Sequence, residues 1–340
     1  MRFRAKNRRL CTSGQAMGPT GASVVRRGML LFMVAACHSA PQAPDPAPAL
    51  SPADWVVRQA GTVVNDDLEE VSGLARSAVG THLWAVEDGG NPAVLHALSP
   101  AGASLGAVLV QGVENVDWED LASMRLDGTS YLVIADVGDN GARRDSVVIH
   151  VVPEPAIDDV EVEVAWSIDF TWEDGPRDCE AVAVDGEQLL LITKRDSPPG
   201  LYTLPVRGPR GVAQRAGVVT EIPGPTPRDL QLPKGKSRSM PTAMDISSDR
   251  LLLLTYKHAY LYDRGEGWTR ALASAPRWID LPDLKQAEAA ALSADYGWIT
   301  TEQRPAPLLE ISAVRTEHPA QNSAPPERAP ASAGPERRLE

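Results

Sequence analysis

The stretch Asp117-Trp-Glu-Asp-Leu-Ala122, followed by Tyr131-Leu-Val-Ile-Ala-Asp136, decides the fold because it recurs. Each copy opens on a polar or acidic pair and runs into small apolar residues. A turn follows, then a strongly apolar segment that ends in a polar or charged residue. The other copies are Glu70-Val-Ser-Gly-Leu-Ala75 with Leu83-Trp-Ala-Val-Glu-Asp88, and Asp178-Cys-Glu-Ala-Val-Ala183 with Leu189-Leu-Leu-Ile-Thr-Lys194. Met240-Pro-Thr-Ala-Met-Asp245 with Leu251-Leu-Leu-Leu-Thr-Tyr256 and Gln286-Ala-Glu-Ala-Ala-Ala291 with Gly297-Trp-Ile-Thr-Thr-Glu302 complete the set. Successive copies start 47, 61, 62 and 46 residues apart. Four-stranded propeller blades repeat every ~40–50 residues, with insertions in loops.

Further short β-like runs follow each copy, such as Val147-Val-Ile-His-Val-Val152 and Val160 to Phe170 after the second. The fifth copy has a third run, Pro307-Leu-Leu-Glu-Ile311, but no fourth, while Trp55 to Val64 stands before the first copy without a blade. A ring closed by the N-terminal strand accounts for both and removes an exposed sheet edge. The expected fold is therefore all-β, a β-propeller of five blades closed by the N-terminal strand. A degenerate sixth blade in the Pro-rich stretch Pro223 to Met240 is the alternative. No segment of the body carries a ten-residue amphipathic helical period, which argues against an α/β fold.

Around this body the composition changes. The 340-residue chain carries 33 Lys and Arg against 45 Asp and Glu, a net charge of −12. Phosphate contacts need cations, so a general nucleic-acid partner is excluded. Residues 1–36 hold seven basic residues and no acidic one, and Arg26-Arg27 precede a nine-residue apolar run, Gly28 to Ala36. That run is too short to span a bilayer, which takes about 20 residues. It has the length of a signal-peptide core.

Val34-Ala35-Ala36-Cys37 resembles the lipobox of bacterial lipoproteins, which implies cleavage before Cys37 and lipidation of its thiol. The expected organisation is a lipoprotein signal peptide at 1–36, a Pro/Ala-rich tether at 37–53, the propeller at 54–315 and a disordered tail at 316–340. Cys179 is then the one body cysteine, expected as a small buried residue.

In a propeller the first strands line the central channel, so the aligned copies superpose. The first aligned position holds Glu70, Asp117, Asp178, Met240 and Gln286. Two residues on stand Ser72, Glu119, Glu180, Thr242 and Glu288, and the second-strand ends hold Asp88, Asp136, Lys194, Tyr256 and Glu302. Strand interiors avoid Asp and Glu, and burying like charges costs heavily without compensation. Three readings stay open: a cation among the oxygens, protonated carboxyls ready for acid/base work, or a wide and wet channel.

The candidate metal ligands are Glu119, Asp136, Glu180 and Glu302, with calcium as the ion. The candidate catalytic residues are Glu119, Glu180, Glu288 and Lys194. Glu70, Asp88, Asp117, Asp136, Asp178, Tyr256 and Glu302 are the candidate binding residues. Asp136-Val-Gly-Asp-Asn140 fails the EF-hand pattern, with Gly138 at its third position and Val147 at its twelfth. No lipase, zincin, P-loop or paired Cys-x-x-Cys motif occurs.

With Ser72-Gly73-Leu74, Asp117 to Asp120 and Gly138 to Asn140, the chain resembles a group of exported bacterial β-propellers of unassigned function. More distantly it is similar to the SdiA-regulated propellers and the phytase-like esterase propellers. The latter resemblance implies calcium held by acidic residues on the channel face, although only Lys194 among the ring positions would meet a phosphate. The function expected is an envelope lipoprotein whose acidic central face binds a small molecule, glycan or protein with calcium. The lipid anchor implies a membrane partner in the cell envelope, the outer membrane before the inner one by family analogy from His38. The alternative is a hydrolase of a glycoside or phosphoester that uses the channel-face carboxylates.

Mass spectrometry of the mature N-terminus checks the leader. A chain that begins at Cys37 and carries a diacylglycerol is expected; an unmodified Cys37 inside a longer chain contradicts it.

Overall fold

The computed structural model describes residues 51–52, 55–208, 210–220, 222–232, 235–302 and 304–314. The expected signal peptide, most of the tether, Cys37 and the tail at 316–340 lie outside the described residues. The described chain is all-β, as expected from the sequence. Its one α-helix, α1 (Trp268–Leu272), has five residues, and no helix among the described residues is long and apolar enough to cross a membrane.

Two strands come first, β1 (Ser51–Pro52) and β2 (Trp55–Thr62). An antiparallel meander follows, made of β3 (Val71–Arg76), β4 (Leu83–Glu87), β5 (Val94–Leu98) and β6 (Ser104–Gln111). A second consists of β7 (Trp118–Leu126), β8 (Thr129–Asp136) and β9 (Val147–Pro153), then, after the short β10 (Glu161–Glu163), β11 (Trp166–Trp172). Next come β12 (Cys179–Asp185), β13 (Gln188–Thr193), β14 (Gly200–Pro205) and β15 (Arg210–Val218). The fourth meander is β16 (Pro241–Ser247), β17 (Arg250–Thr255), β18 (His258–Asp263) and β19 (Arg277–Asp280). Finally β20 (Ala287–Leu292), β21 (Tyr296–Thr301) and β22 (Pro307–Ala313) pair in order, and β2 adds to β22.

The run Val160 to Phe170, expected as one strand, is divided. Its first part, β10, leaves the meander and pairs in parallel with β6, covering that strand's outer edge. β15 pairs in parallel with β11, which joins the second and third meanders into one eight-stranded sheet. β1 likewise pairs with β19. Outer edges that would otherwise leave backbone groups open are paired in this way. Residues 223–240, the expected long loop, contain two 3₁₀ turns, Asp229–Gln231 and Gly235–Ser237, and no strand among the described residues.

The sequence of each strand follows from its place. The second strands are buried on both faces, as in Leu189-Leu-Leu-Ile-Thr193, so they read as continuous apolar runs. Fourth strands alternate, as in Trp166 to Trp172, because one face meets water. The first strands pack against one another: β3 on β7, β7 on β12, β12 on β16, β16 on β20 and β20 back on β3. The fourth residue of the repeated segment sits where they crowd. It is Gly73, Ala181, Ala243 or Ala289 in four copies and Asp120 in the fifth. At Gly73 a Cβ would stand 2.6 Å from the Leu121 nitrogen, so β3 can approach β7 only as glycine.

Asp120 fills the space these small residues leave. It is fully buried, and its carboxyl accepts the backbone N–H of Leu121 (2.9 Å), of Val182 (2.8 Å) and of Met244 (3.1 Å). One side chain thereby ties β7, β12 and β16. Asp245 repeats the device between β16 and β20, accepting from Ile246 (2.8 Å) and Leu292 (2.7 Å). Burial pushes Asp120 well above the usual carboxylate range and Asp245 to about 7.

Each buried donor left unpaired costs about 1–3 kcal/mol. Asp120→Ala orphans three, so it should destabilise the fold by more than about 3 kcal/mol in urea unfolding. Asp120→Asn, which keeps one acceptor, should lose less.

Candidate functional site

One irregularity, repeated five times, builds the site. Each first strand slips register against its second strand at the third residue of the segment. Val71 faces Glu87 and Gly73 faces Val86, so Ser72 is the extra residue. The same slip leaves Glu119, Glu180, Thr242 and Glu288 unopposed in the other copies. A β-bulge of this kind bends the strand and re-aims its side chain. Five bulges in equivalent places bring these side chains to one end of the ring of first strands.

There a cavity of about 300 Å³ opens, lined by Asp88, Glu119, Glu180, Lys194, Tyr256, Glu288 and Glu302 among others. All seven were singled out from the sequence. Lys194 donates to Glu180 and, at 2.9 Å, to the Tyr256 hydroxyl, which donates in turn to Glu288 at 2.6 Å. Its ammonium lies 5.1 Å from the centre of the Tyr256 ring.

Asp117 and Asp178 stand beside the cavity. Asp178 is held by Arg195 at 2.5 Å and by the Asp139 N–H at 3.0 Å. Two sets of carboxylates each place one oxygen per residue within 4.8 Å of the others: Asp88 with Asp117 and Glu119, and Glu119 with Asp178 and Glu180. Glu119 belongs to both. Gly138 permits this approach, since a Cβ there would fall 2.3 Å from the Glu119 carboxylate and 2.5 Å from that of Asp117.

Asp136 and Glu70 lie elsewhere. Asp136 faces Trp118 across the ladder, the position that Glu87, Thr193, Thr255 and Thr301 occupy in the other copies. Val137, not Asp136, is therefore the counterpart of Asp88, Lys194, Tyr256 and Glu302. A one-residue offset turns a strand side chain to the other face. Asp136 accordingly pairs with Arg144 at 2.8 Å and caps the backbone of Val116 and Asp117. Glu70 is exposed and accepts from Asn91 at 3.1 Å. Of the four expected metal ligands, then, Glu119 and Glu180 come together with Asp178, while Glu302 turns to Glu288 and Asp136 to Arg144.

Asn140 of the Gly-Asp-Asn turn also lines the cavity, as do Arg195 and Ser237, which were not read from the sequence as site residues. Arg195 directly follows Lys194, a signal that was present. Ser237 comes from the insertion at 223–240, where nothing in the local pattern marks it.

The electrostatics follow from burial. Glu119 is 6% exposed and Glu180 3%. Burial, reinforced by the Glu180 and Asp88 carboxylates, holds Glu119 well above its ordinary range. Burial lifts Glu180 to about 7, with the Lys194 ammonium offsetting part of that cost. Glu288 rises to about 9 through burial and the neighbouring Glu302, and Asp117 to about 6 through burial and Asp88. Burial opposes the charge on Lys194, yet Glu180, Glu119 and Glu288 outweigh it and hold the ammonium above its ordinary value. Lys194 is therefore a fixed cation at neutral pH and no nucleophile. The cavity can store protons, donate one from Glu288, or exchange protons for a cation.

A carboxyl whose pKa is higher in the folded than in the unfolded chain stabilises at low pH. That contribution is lost as pH rises from the unfolded value, about 4.3 for Glu, through the folded one. Between pH 7 and 9 Glu288 still ionises in the folded chain, while an unfolded Glu is already charged. The melting temperature in chelator should fall over this interval, and Glu288→Gln should flatten the fall. A parallel curve for the variant would contradict the protonated Glu288.

The chain is similar to several solved structures. The PQQ-bound aldose sugar dehydrogenase of Streptomyces coelicolor is 12% identical at a TM-score of 0.44, over 77% of this chain and 99% of that one. Glutaminyl cyclase of Myxococcus xanthus is 12% identical at 0.48, over 78% and 100%. The soluble aldose sugar dehydrogenase of Escherichia coli in its apo-form is 12% identical at 0.42, over 76% and 100%. No protein-family model and no curated protein matches the chain.

Proposed function

We propose that this protein is an exported lipoprotein of the cell envelope, anchored through Cys37. Its five meanders act as the blades of a five-bladed propeller that β2 closes. Its carboxylate mouth holds a divalent cation, calcium, through which a ligand from the surrounding water is bound. One observation carries the cation reading: Glu119 belongs to two adjacent sets of three carboxylates, and its own set with Asp178 and Glu180 is buried throughout. Like charges gathered out of water need a counter-charge. Lys194 and Arg195 supply part of it, and protons or a cation must supply the rest. Hard carboxylate oxygens from several strands suit calcium, which takes 6–8 oxygen ligands in flexible geometry. Asp88 and Asp117 on one side, and Asp178 and Glu180 on the other, would hold it with Glu119. Waters and the ligand would complete its shell.

A second reading, a hydrolase of a glycoside or phosphoester, rests on a different observation. Glu180 and Glu288 are bridged by Lys194 and Tyr256, and their environments set them at about 7 and about 9. Such a pair offers a base and an acid near neutral pH.

Thermal melts at pH 8 separate the two. Calcium at 100 times its dissociation constant stabilises a protein that binds it only when folded by about 2.7 kcal/mol. Wild type should show that rise over chelator, and Glu119→Gln should lose most of it. Magnesium, which demands near-octahedral geometry, should act more weakly. A melt unmoved by calcium, with a bell-shaped pH profile on a chromogenic glycoside or phosphoester, would favour the hydrolase instead.

A further inference from the structure

A second cleft, of about 510 Å³, adjoins the carboxylate mouth. Lys194 and Arg195 line both, and Pro225, Lys236 and Met240 line the cleft from the Pro-rich insertion. Its size falls in the range of small-molecule sites, about 300–1,000 Å³. The surfaces are mostly apolar: Pro198 and Pro199 on one side, Ile222 and Pro225 on the other, with Val219 and Met240. Prolines have little freedom left to lose, so such walls order a ligand at small entropic cost.

The polar groups of the cleft have one sign. Its single carboxylate, Asp196, is taken by Arg177, whose Nη1 donates to both oxygens at 3.0 and 2.9 Å. Lys236 lines the same cleft and makes no ion pair with any described residue. It is an exposed residue that directly precedes Ser237, which lines the mouth. The hydroxyl groups of Ser197, Thr220 and Ser239 add donors.

An apolar cleft lined by a cation that no described residue pairs selects a particular chemistry. We propose that the cleft binds a small apolar organic acid, its ring or chain against the prolines and Ile222 and its carboxylate between Lys236 and the mouth. There the acid's oxygen would also complete the shell of a cation held by Glu119 and its neighbours. This second contact rests on the calcium reading above; the Lys236 contact does not.

Calorimetric titration of the full chain with 1-naphthoate and with 1-naphthamide tests it, since the two probes share their rings and differ in the charge. Naphthoate should bind once per chain, at least tenfold more tightly than the amide. Lys236→Glu should lower naphthoate affinity at least tenfold, leave the amide unchanged and leave the melt unchanged. Equal binding of both probes, binding of neither, or indifference to Lys236→Glu overturns the proposal. Repeating the titration with calcium and with chelator separates the two readings. Lys236-dependent binding that ignores calcium keeps the cleft and removes the cation bridge. A calcium-dependent melt with naphthoate binding that ignores Lys236 keeps the cation and removes the cleft.

Discussion

Asp120 is a carboxyl group with no access to water, and the arrangement of the first strands depends on it. Burying such a group costs several kcal/mol unless its oxygens are used. Here both are, by N–H groups from β7, β12 and β16. Strands that wrap around a narrow space have donors pointing inward with nothing to meet. Gly73, Ala181, Ala243 and Ala289 make the space small enough that a single side chain can reach them. A larger residue at any of these positions would compete with Asp120 for the same volume, and a second acid would meet like charge.

The bulges then decide what stands at the mouth. A regular ladder would pair residues three of the segment with partners on the second strand. The slip frees them instead, and three of the five are glutamates. Ser72 and Thr242 occupy the other two places, and each donates its hydroxyl to a backbone carbonyl of the next first strand, of Glu119 and of Ala287. Around the ring, Glu119 and Glu180 are therefore neighbours, while Glu288 stands between Thr242 and Ser72. Lys194 reaches Glu180 because it directly follows β13, the strand paired with β12.

Much of this was written in the chain. The repeated segment located all five first strands, and the unassigned run Trp55 to Val64 does pair with the strand at 307–311. What the sequence hid was register. Asp136 ends an apolar run as Lys194, Tyr256 and Glu302 do, yet it is the last ladder residue of β8 while they directly follow their strands, so Val137 takes the equivalent place. The bulge falls at the third residue of the segment in every copy, so it gives no sign of this offset. The division of Val160 to Phe170 was hidden for a similar reason: β10 is drawn to the open edge of β6, a partner some 50 residues away. The cleft beside the mouth belongs to an insertion whose Pro-rich sequence has no period to read.

Protons and cations compete for the same oxygens in this cavity, and that competition links its stability to its chemistry. Glu119 and Glu288 are easiest to bury when neutral, but a neutral carboxyl is a poor ligand. A cation that enters must displace those protons, so its affinity rises with pH over the interval in which the empty cavity grows less stable. Lys194 sharpens the balance, because its positive charge lowers the cost of ionising Glu180 ahead of Glu288. Glu180, at about 7, is thus the carboxyl that opens near neutral pH. It shares Glu119 and Asp178 with one carboxylate set and Lys194, Tyr256 and Glu288 with the hydrogen-bonded chain. Glu180 is thus the residue that joins the carboxylate set to the hydrogen-bonded chain ending at Glu288.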